Sequence, residues 1–529
     1  MKRYRYKQKF FFHYYISNLL LRSVSHFFHA KINLLFISIT LLYLPLATSC
    51  QNSKDPENVS FTQPNIIFIY ADDLGRGLLS RNGQQIIKTP NIDLLAEEGM
   101  YFRNAYGNSY CLPARASLLT GLHDCHASAW NYVSGGIWID YREGKFSFKE
   151  VVDSVNHLHG TIPEQEVFLP QLLQDAGYYT AQIGKLEWGF STTPDRLERH
   201  GWDYHFGYYD HKNCHGFYPK SLFRNGKEVF FEGNTSSDSK TKGPHYSQEL
   251  FLADILDFIR NYAEDQPFFL YHPSQIPHGD IMIPQIHPDF IENDTLTHTQ
   301  KEYASMVKML DDHVGIILSE LDKQGIDDNT MVIFSVDNGH EVYYELKHQK
   351  VYDESKSILS DKFDTNRDGD IFDGNGGLSG KKFSFWEGGI RVPLIVRWPG
   401  KVEPGSNTNL LVANYDLLPT LADIAKTETP SGKDGISYLP TLLGKSEMQN
   451  EHDYIINQGG VRYTSHQGAG LITNDGWKLR YFAGNDIYRL HNLKVDPKEN
   501  QDISIEFPGK LKQLKEIFHH EYNSSRRDI

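Results

Sequence analysis

The chain has 529 residues, of which 40% are hydrophobic, 13% aromatic and 23% charged. This much apolar surface excludes intrinsic disorder as the main state, while 42 glycines without a triplet period and only 4 cysteines exclude collagen and a disulfide scaffold. The formal net charge of −14 excludes attraction of nucleic acid by the overall field, so an anionic substrate would need a local basic pocket. The length fits about two to four domains, or one large α/β domain with an appendage.

The first fifty residues have the pattern of an export signal. Basic residues, with no Asp or Glu, precede the apolar run Ile32–Leu46, which has the length of a secretory signal and is short for a membrane-spanning helix. Small residues before Cys50 resemble a bacterial lipoprotein cleavage site, which would make Cys50 the lipidated first residue. We therefore predict an export signal over 1–49, a polar tether over 50–63, and a periplasmic or surface-anchored bacterial lipoprotein. Cleavage without a lipid and a permanent anchor helix are the alternatives.

From residue 64 onward, short apolar strands alternate with helices. This alternation predicts an α/β fold with a large, mostly parallel sheet between helices. Short β runs beyond about residue 454 and a final helix predict a small C-terminal α+β subdomain with an antiparallel sheet, and we place the domains at 64–430 and 431–529. The predicted strands are Asn65–Tyr70, Tyr178–Ile183, Pro267–Tyr271, Thr330–Ser335, Gly470–Thr473, Trp477–Tyr481 and Ile487–Leu490, and the predicted helices are Ile92–Glu98, Leu169–Asp175, Ser247–Asn261, Lys301–Gln324, Tyr415–Ala425 and Pro508–Tyr522.

Polar side chains follow two of the buried strands directly. Asp72 and Asp73 come after the first strand, and Asp337 and Asn338 come after Thr330–Ser335. Ligands bind at the carboxyl ends of the strands in such sheets, and an all-oxygen set favours Ca²⁺ or Mg²⁺ over zinc. A turn or a helix N-cap explains one such pair, but two pairs together favour a metal site.

The most specific string is Cys111-Leu112-Pro113-Ala114-Arg115, which continues to Leu119-Thr120-Gly121. It resembles the formylglycine-generating signature of the sulfatases, C-x-P-x-R followed by L-T-G. A buried thiol beside a loop proline is the alternative for a lone cysteine. The resemblance extends over about residues 64–500 and includes Thr89–Asp93 and Trp386–Pro393. The chain is similar to the type I sulfatases of the alkaline phosphatase-like superfamily.

This resemblance implies a role for each motif residue. Cys111 would be oxidised to formylglycine by a generating enzyme, which is an expected partner. The implied metal is Ca²⁺, with Mg²⁺ as the alternative, held by Asp72, Asp73, Asp337, Asn338 and the formylglycine. Arg115 would steady the formylglycine, and Lys185 would bridge the formylglycine and the sulfate. His278 would protonate the leaving oxygen. Lys382 would bind sulfate, and it fits the family spacing better than Lys381.

These residue types suit the cleavage of a sulfate ester. Cations neutralise the sulfate oxygens as the S–O bond breaks, and an acid protonates the leaving alcohol oxygen. A Ser or Cys nucleophile would leave a sulfated intermediate that is hard to cleave. A hydrated aldehyde can instead expel sulfate by re-forming the aldehyde.

One motif departs from the family pattern. The family usually reads Gly-Lys-Trp-His-Leu-Gly where this chain has Gly184-Lys185-Leu186-Glu187-Trp188-Gly189. Glu187 thus replaces the histidine that acts on the formylglycine hydroxyl. Because a carboxylate can serve as a general base, we hypothesise that Glu187 takes this role. The alternative is a packing or salt-bridge residue, with the base supplied elsewhere.

Three further features leave two interpretations each. Asp364–Ile371 matches the first eight positions of an EF-hand-type loop, but the twelfth is Asn375, so a second Ca²⁺ and a polar turn are both open. His215 lies in a segment rich in histidine and aromatics that suits a sugar; we predict a sugar contact, with a histidine satisfied within its loop as the alternative. Cys125 and Cys214 would form a disulfide or remain two buried thiols.

The leading hypothesis is hydrolysis of a sulfate ester, on a carbohydrate, by an exported bacterial enzyme. A phosphomonoester or phosphonate hydrolase of the same superfamily is the second hypothesis, and the anion released discriminates the two. The third is a non-catalytic glycan-binding homologue, which the intact Cys111 and Arg115 argue against. A sulfated carbohydrate is the expected substrate, no nucleic acid is expected, and a membrane is expected only through a lipid at Cys50.

Overall fold

The computed structural model describes residues 62–123, 126, 135–158, 166–262, 266–344, 370–458, 468–482 and 486–523. The chain from Thr62 onward forms one compact unit. The predicted export signal, Cys50, Cys125 and most of the EF-hand-like loop lie outside the described residues, so the predictions on them stay predictions. Among the described helices, none has both the length and the apolar character that crossing a bilayer requires.

A ten-stranded mixed sheet forms the centre of this unit. Its strands are β1 (Asn65–Ala71), β2 (Met100–Tyr106), β3 (Tyr179–Gly184), β4 (Tyr204–Gly207), β5 (Ser221–Arg224), β6 (Lys227–Phe230), β7 (Phe268–Pro273), β8 (Thr330–Val336), β9 (Leu394–Arg397) and β10 (Ser406–Ala413). They lie in the order β10-β2-β9-β8-β1-β7-β3-β4-β5-β6. The five strands from β8 to β4 are parallel, β10 is parallel to β2, and β9, β5 and β6 run antiparallel to their neighbours.

Helices cover both faces of the sheet. They are α1 (Pro90–Glu97), α2 (Cys111–Thr120), α3 (Ile137–Arg142), α4 (Phe148–Leu158), α5 (Leu169–Asp175), α6 (Pro194–Arg199), α7 (Ser247–Tyr262), α8 (Pro288–Ile291), α9 (His298–Gln324), α10 (Glu387–Ile390), α11 (Leu417–Ala425) and α12 (Leu439–Leu442). Helices α1, α7 and α9 contribute to one core cluster with the sheet, and α2, α5 and α11 contact one another elsewhere.

Strand β1 shows why the centre of the sheet is buried on both sides. All seven of its residues are buried, as expected for a parallel strand covered by helices on each face. Ile67 and Ile69 belong to the core cluster of α1, α7 and α9. Phe68 alternates to the opposite face, where it lines a small cavity with Leu118 of α2 and Leu417 of α11. The sheet therefore holds the residues that follow β1 in a well-packed position.

A second, antiparallel sheet forms the C-terminal part of the unit. It consists of β11 (Tyr454–Gln458), β12 (Gly468–Thr473), β13 (Trp477–Phe482) and β14 (Ile487–Asn492), and α13 (Pro508–Asn523) packs on it. A buried ion-pair cluster joins it to the main sheet: Lys478 Nζ lies 2.9 Å from Glu387 Oε1 and 3.2 Å from Glu499 Oε1. Tyr106 of β2 donates to Glu387 Oε2 at 3.0 Å. Glu387, from the Trp386–Pro393 string, thus anchors the two sheets to each other.

The predicted fold class is confirmed: a large mixed sheet with helices and a small antiparallel sheet. Leu169–Asp175 is a helix with the predicted bounds, and the other predicted elements are present with ends shifted by a few residues. Helix α2 was not predicted, because all ten of its residues are buried and leave no polar face to give a periodic pattern. The short strands β4, β5 and β6, and the strands β2, β9 and β10, were not predicted either.

Candidate active site

The acids that follow β1 and β8 lie side by side. Ala71 pairs with Val336 at the end of the two strands, so Asp72 and Asp337 follow at the same edge of the sheet. The backbone N–H of Asp73 donates to Asp337 Oδ1 at 3.1 Å, and the amide of Asn338 donates to Asp73 Oδ1 at 2.7 Å. All four side chains are fully buried. The structure therefore brings the predicted metal ligands together.

Helix α2 delivers Cys111 to this cluster. Cys111 is the first residue of the helix, it is buried, and ligand atoms of Cys111, Asp72 and Asp337 lie within 4.8 Å of one another. Arg115, one helical turn later on the same face, donates to Asp337 Oδ2 at 2.9 Å and lies 3.8 Å from Asp72 Oδ1. Burial raises the pKa of the Cys111 thiol, although Lys185 and Lys382 oppose this.

Two buried lysines complete the charge arrangement. Lys185, directly after β3, contacts Asp72 Oδ2, and Lys382 Nζ lies 2.8 Å from Asp73 Oδ2. Burial alone would raise the pKa of Asp72, but Lys185 in particular holds the pKa below its ordinary value. Lys381, the alternative to Lys382, pairs instead with Glu341. The site thus combines buried carboxylates with buried cations.

His278 lies at the same edge, five residues after β7. Its Nε2 is 3.5 Å from Asp73 Oδ2. Burial, helped by the charge of Lys382, lowers the pKa of His278 to about 4. Its ring stacks on His215, with ring centroids 4.3 Å apart, so the predicted sugar contact lies beside the predicted acid.

The donor atoms fit a divalent cation of the calcium or magnesium type. Asp72 Oδ1 and Asn338 Oδ1 are buried and have no hydrogen-bond partner. Burial, with the neighbouring charge of Asp72 next, raises the pKa of Asp337 to about 8. Crowded carboxylates of this kind are stabilised by a cation, and an oxygen-only donor set is the one that Ca²⁺ and Mg²⁺ prefer.

Glu187 has other partners. Its Oε1 lies 2.7 Å from His200 Nδ1, its Oε2 accepts from the indole N–H of Trp202 at 2.7 Å, and the side chain is 1% exposed. Both carboxylate oxygens are therefore engaged within a buried network. The hypothesis that Glu187 acts as a general base stays a prediction, and these contacts favour the alternative of a buried salt-bridge residue.

The remaining sequence-based features are only partly described. Cys214 is buried, and its thiol donates to the carbonyl of His211 at 3.0 Å, but its proposed partner lies outside the described residues. Asp370, at the end of the EF-hand-like loop, accepts from the backbone N–H groups of Phe372 at 3.0 Å and Gly374 at 2.8 Å, as in a polar turn. The disulfide and the second Ca²⁺ both stay predictions.

Two residues at the site were missed by the sequence reasoning. The hydroxyl of Tyr343 contacts Asp73 and accepts from Lys382 Nζ at 3.3 Å. His211 lies edge-on to His215, with ring centroids 4.3 Å apart, and extends the row of histidines that ends at His278. Tyr343 follows Asp337 by six residues, which is the only signal that could have drawn attention to it. His211 lies inside the histidine-rich segment, in which only His215 is predicted from the sequence as a sugar contact.

Fold and sequence together place the chain among the hydrolases of the alkaline phosphatase-like superfamily. The family model named Sulfatase matches residues 64–427, and the model named N-sulphoglucosamine sulphohydrolase, C-terminal, matches residues 374–527. The chain belongs to the sulfatase family and is a sulfuric ester hydrolase.

Two relatives agree with this assignment, and a solved structure shares the fold. The N-acetylgalactosamine-6-sulfatase of Mus musculus is 32% identical over 84% of this chain and 79% of its own length. The N-acetylgalactosamine-6-O-sulfatase of Bacteroides thetaiotaomicron is 26% identical over 90% of this chain and 96% of its own length. A crystal structure of Ps i-CgsB in complex with k-i-k-neocarrahexaose shares the fold, with a TM-score of 0.67 and 24% identity over 88% of this chain and 94% of that chain.

Proposed function

We propose that this enzyme hydrolyses a sulfate ester on a carbohydrate, using a formylglycine made from Cys111 and a bound Ca²⁺, with Mg²⁺ as the alternative metal. The observation that carries the proposal is the position of Cys111. A buried thiol at the start of α2 lies among the acids that follow β1 and β8, with Lys185 and Lys382 close enough to act on its charge. When formed, formylglycine supplies a hydrated aldehyde as the nucleophile.

The chain's own side chains would prepare the sulfate for attack. When bound, Ca²⁺ would be held by Asp72, Asp73, Asp337 and Asn338 and would supply positive charge against the sulfate oxygens. Lys185 and Lys382 are the cations that neutralise the remaining oxygens as the S–O bond breaks. Arg115 holds the carboxylate of Asp337 at 2.9 Å and keeps the ligand cluster in place.

His278 is the proposed donor of a proton to the leaving alcohol oxygen. Its pKa is lowered to about 4 by burial and then by Lys382. An anionic sulfate beside Lys382 offsets that charge and raises the pKa of His278 towards the range that a general acid needs. The hydrogen bond between His278 Nδ1 and the carbonyl of Gly279 orients the ring, which leaves Nε2 to face the site.

Support for a carbohydrate substrate comes from two directions. Two relatives are named as sulfatases of the 6-position of N-acetylgalactosamine, which makes a 6-sulfated N-acetylgalactosamine the first substrate to test. The rings of His211 and His215 lie next to His278, where they offer flat faces and polar edges that suit a sugar. We also propose that the enzyme is exported and held to a membrane by a lipid on Cys50.

The test is sulfate release by the full chain co-expressed with a formylglycine-generating enzyme. The substrates are 6-sulfated N-acetylgalactosamine and a panel of other sulfated saccharides, and peptide mass spectrometry confirms formylglycine at position 111. We expect sulfate release by the matured enzyme and none by Cys111→Ala. The matched control is Cys214→Ala, which removes the other buried thiol of the described residues and is expected to stay active.

Three results would contradict the proposal. Release of phosphate from phosphomonoesters at a higher rate than release of sulfate would favour the phosphohydrolase alternative. Equal sulfate release by Cys111→Ala and the matured enzyme would exclude formylglycine as the nucleophile. Binding of sulfated saccharides without turnover, despite confirmed formylglycine, would favour the non-catalytic alternative.

A further inference from the structure

A second cluster of ionisable side chains lies outside the active site, near the end of α2 opposite Cys111. His123 follows α2 by three residues, His126 comes next among the described residues, Asp434 lies between α11 and α12, and Glu521 lies in the last turn of α13. Their side chains are 7%, 11%, 18% and 13% exposed, respectively. Four ionisable groups from three separate chain segments are therefore gathered in a mostly buried place.

The possible ligand atoms of this cluster lie close to one another. His123 Nε2 lies 3.2 Å from Glu521 Oε2 and 3.9 Å from Asp434 Oδ2, and His126 Nδ1 lies 2.8 Å from Asp434 Oδ2. Ligand atoms of His123, His126 and Glu521 all fall within 4.8 Å of one another. Tetrahedral zinc with bonds of about 2.0–2.2 Å separates its donor atoms by roughly 3.3 Å, which lies within the range of the observed separations.

Charge balance favours a dication over protons in this place. The two imidazole rings stack with centroids 3.9 Å apart. If both rings were protonated to match the two carboxylates, two cations would face each other at that distance, which is unfavourable in a buried setting. If both rings were neutral, they would supply no positive charge to the two largely buried carboxylates. One divalent ion compensates Asp434 and Glu521 together and lets both rings stay neutral.

The surrounding contacts hold the carboxylates in position. The hydroxyl of Tyr454 donates to Glu521 Oε1 at 2.6 Å, which leaves Oε2 facing His123. The backbone N–H of His123 donates to Asp434 Oδ2 at 2.9 Å. Partners of this kind orient the ligands in structural metal sites. The backbone N–H of Asp434 also donates to the carbonyl of Gly121, at the end of α2, at 2.9 Å.

We propose that His123, His126, Asp434 and Glu521 bind a divalent transition metal of the zinc type, which joins the helix that begins at Cys111 to the C-terminal helix. Two nitrogen and two oxygen donors suit zinc, whereas the oxygen-only cluster at the strand ends suits Ca²⁺ or Mg²⁺. The two sites therefore select different ions. The zinc site stands apart from the proposed sulfatase reaction and does not depend on it.

Zinc retention by the full chain tests this proposal. The protein is stripped with a chelator, saturated with Ca²⁺ to fill the acidic site, incubated with Zn²⁺ and desalted, and the bound zinc is measured by inductively coupled plasma mass spectrometry. We expect one zinc per wild-type chain, near-complete loss of that zinc in His126→Ala, and retention in His298→Ala. His298 is the matched control, because its side chain is 76% exposed and it lies beside the carboxylate of Glu302.

A second variant and a second probe guard against misfolding. Glu521→Gln keeps the shape of the side chain but weakens a ligand, so we expect reduced zinc retention with an unchanged circular dichroism spectrum. Co²⁺ in place of Zn²⁺ should give the intense visible absorption of a tetrahedral site in the wild type and lose it in both variants. Zinc content that is equal in wild type, His126→Ala and Glu521→Gln would overturn the proposal and point to another site, such as His211 and His215. No zinc retained by the wild type would leave only a hydrogen-bonded network.

Discussion

Glu187 occupies the position at which the family usually has a histidine. Substitution of Glu187 can distinguish a general base from a buried structural residue. The side chain is 1% exposed, its Oε1 faces His200 Nδ1 at 2.7 Å and its Oε2 accepts from Trp202 at 2.7 Å. Trp202 in turn stacks on Tyr271, with centroids 5.9 Å apart, and the Tyr271 hydroxyl accepts from Arg115 at 3.5 Å. The Glu187 network therefore contacts the active site through Tyr271 and Arg115.

The cost of removing the carboxylate follows from these contacts. Glu187→Ala leaves a buried indole N–H and a buried imidazole without their acceptor, and each unsatisfied group costs about 1–3 kcal/mol. The total loss is therefore about 2–6 kcal/mol. In a protein of this size we expect the melting temperature to change by roughly 1–2 °C for each kcal/mol, so it should fall by about 2–12 °C. Glu187→Gln keeps one acceptor and the shape, so its fall should be smaller.

The assay compares melting temperature and kcat for sulfate release in Glu187→Gln, with both enzymes measured well below their melting temperatures. We expect kcat within a few-fold of wild type, since a structural carboxylate acts only on stability. Loss of a general base would instead lower kcat by about 10²–10⁴-fold. Glu198→Gln, which changes an exposed carboxylate, is the control. A large loss of kcat with an unchanged melting temperature would refute our reasoning.

Three further predictions concern the lysines, the metal and export. Lys382→Ala should lower kcat/KM by about 10²–10³-fold, because it removes a buried cation 2.8 Å from Asp73. The control Lys381→Ala should change steady-state sulfate release by a few-fold at most, because Lys381 pairs with Glu341. Asp337→Asn should lose both bound Ca²⁺ and activity, and chelation of the wild type should abolish activity that added Ca²⁺ restores. Cys50→Ala should move the protein from the membrane fraction to the soluble fraction of the expressing bacterium, measured by immunoblot.

Each of these predictions has a result that would contradict it. Equal losses from the two lysine substitutions would mean that Lys382 has no special role at the sulfate. Full activity of Asp337→Asn after exhaustive chelation would exclude a required metal at the strand ends. Retention of Cys50→Ala in the membrane fraction would favour a permanent anchor helix over a lipid.

The sequence predicted the parts of the site that depend on local signals. Asp72 and Asp337 each follow an apolar run that is typical of a buried strand. Because the two strands are parallel neighbours, both acids lie at the carboxyl edge of the sheet. The motif around Cys111 was recognisable as a string even though its helix was not predicted. Side chains placed by strands and by a family motif are therefore accessible from the sequence alone.

Contacts between distant segments were not accessible in the same way. Nothing in the residues around Glu187 shows that its carboxylate accepts from Trp202, because the orientation of the side chain depends on tertiary packing. His123 and Glu521 are 398 positions apart and meet only because α13 packs beside the end of α2. No pattern within one chain segment predicts the contact between His123 and Glu521. The short spacing of His123 and His126 is visible in the sequence, but such a spacing is common without a metal.

The carboxylates of the candidate site and its proposed sugar contacts are held by different kinds of structure. Asp72, Asp337 and Lys185 directly follow strands at the centre of the sheet, where β1 is buried on both faces, so a small change elsewhere leaves their geometry intact. His211 and His215 lie in the connection between β4 and β5, where the ring of His215 stacks on His278 and its carbonyl accepts from the backbone N–H of Asp280 at 3.3 Å. Connections tolerate substitution better than the strands they join. If His215 contacts the sugar as we propose, changing this segment should alter the sugar preference while the proposed sulfate-binding groups keep their positions.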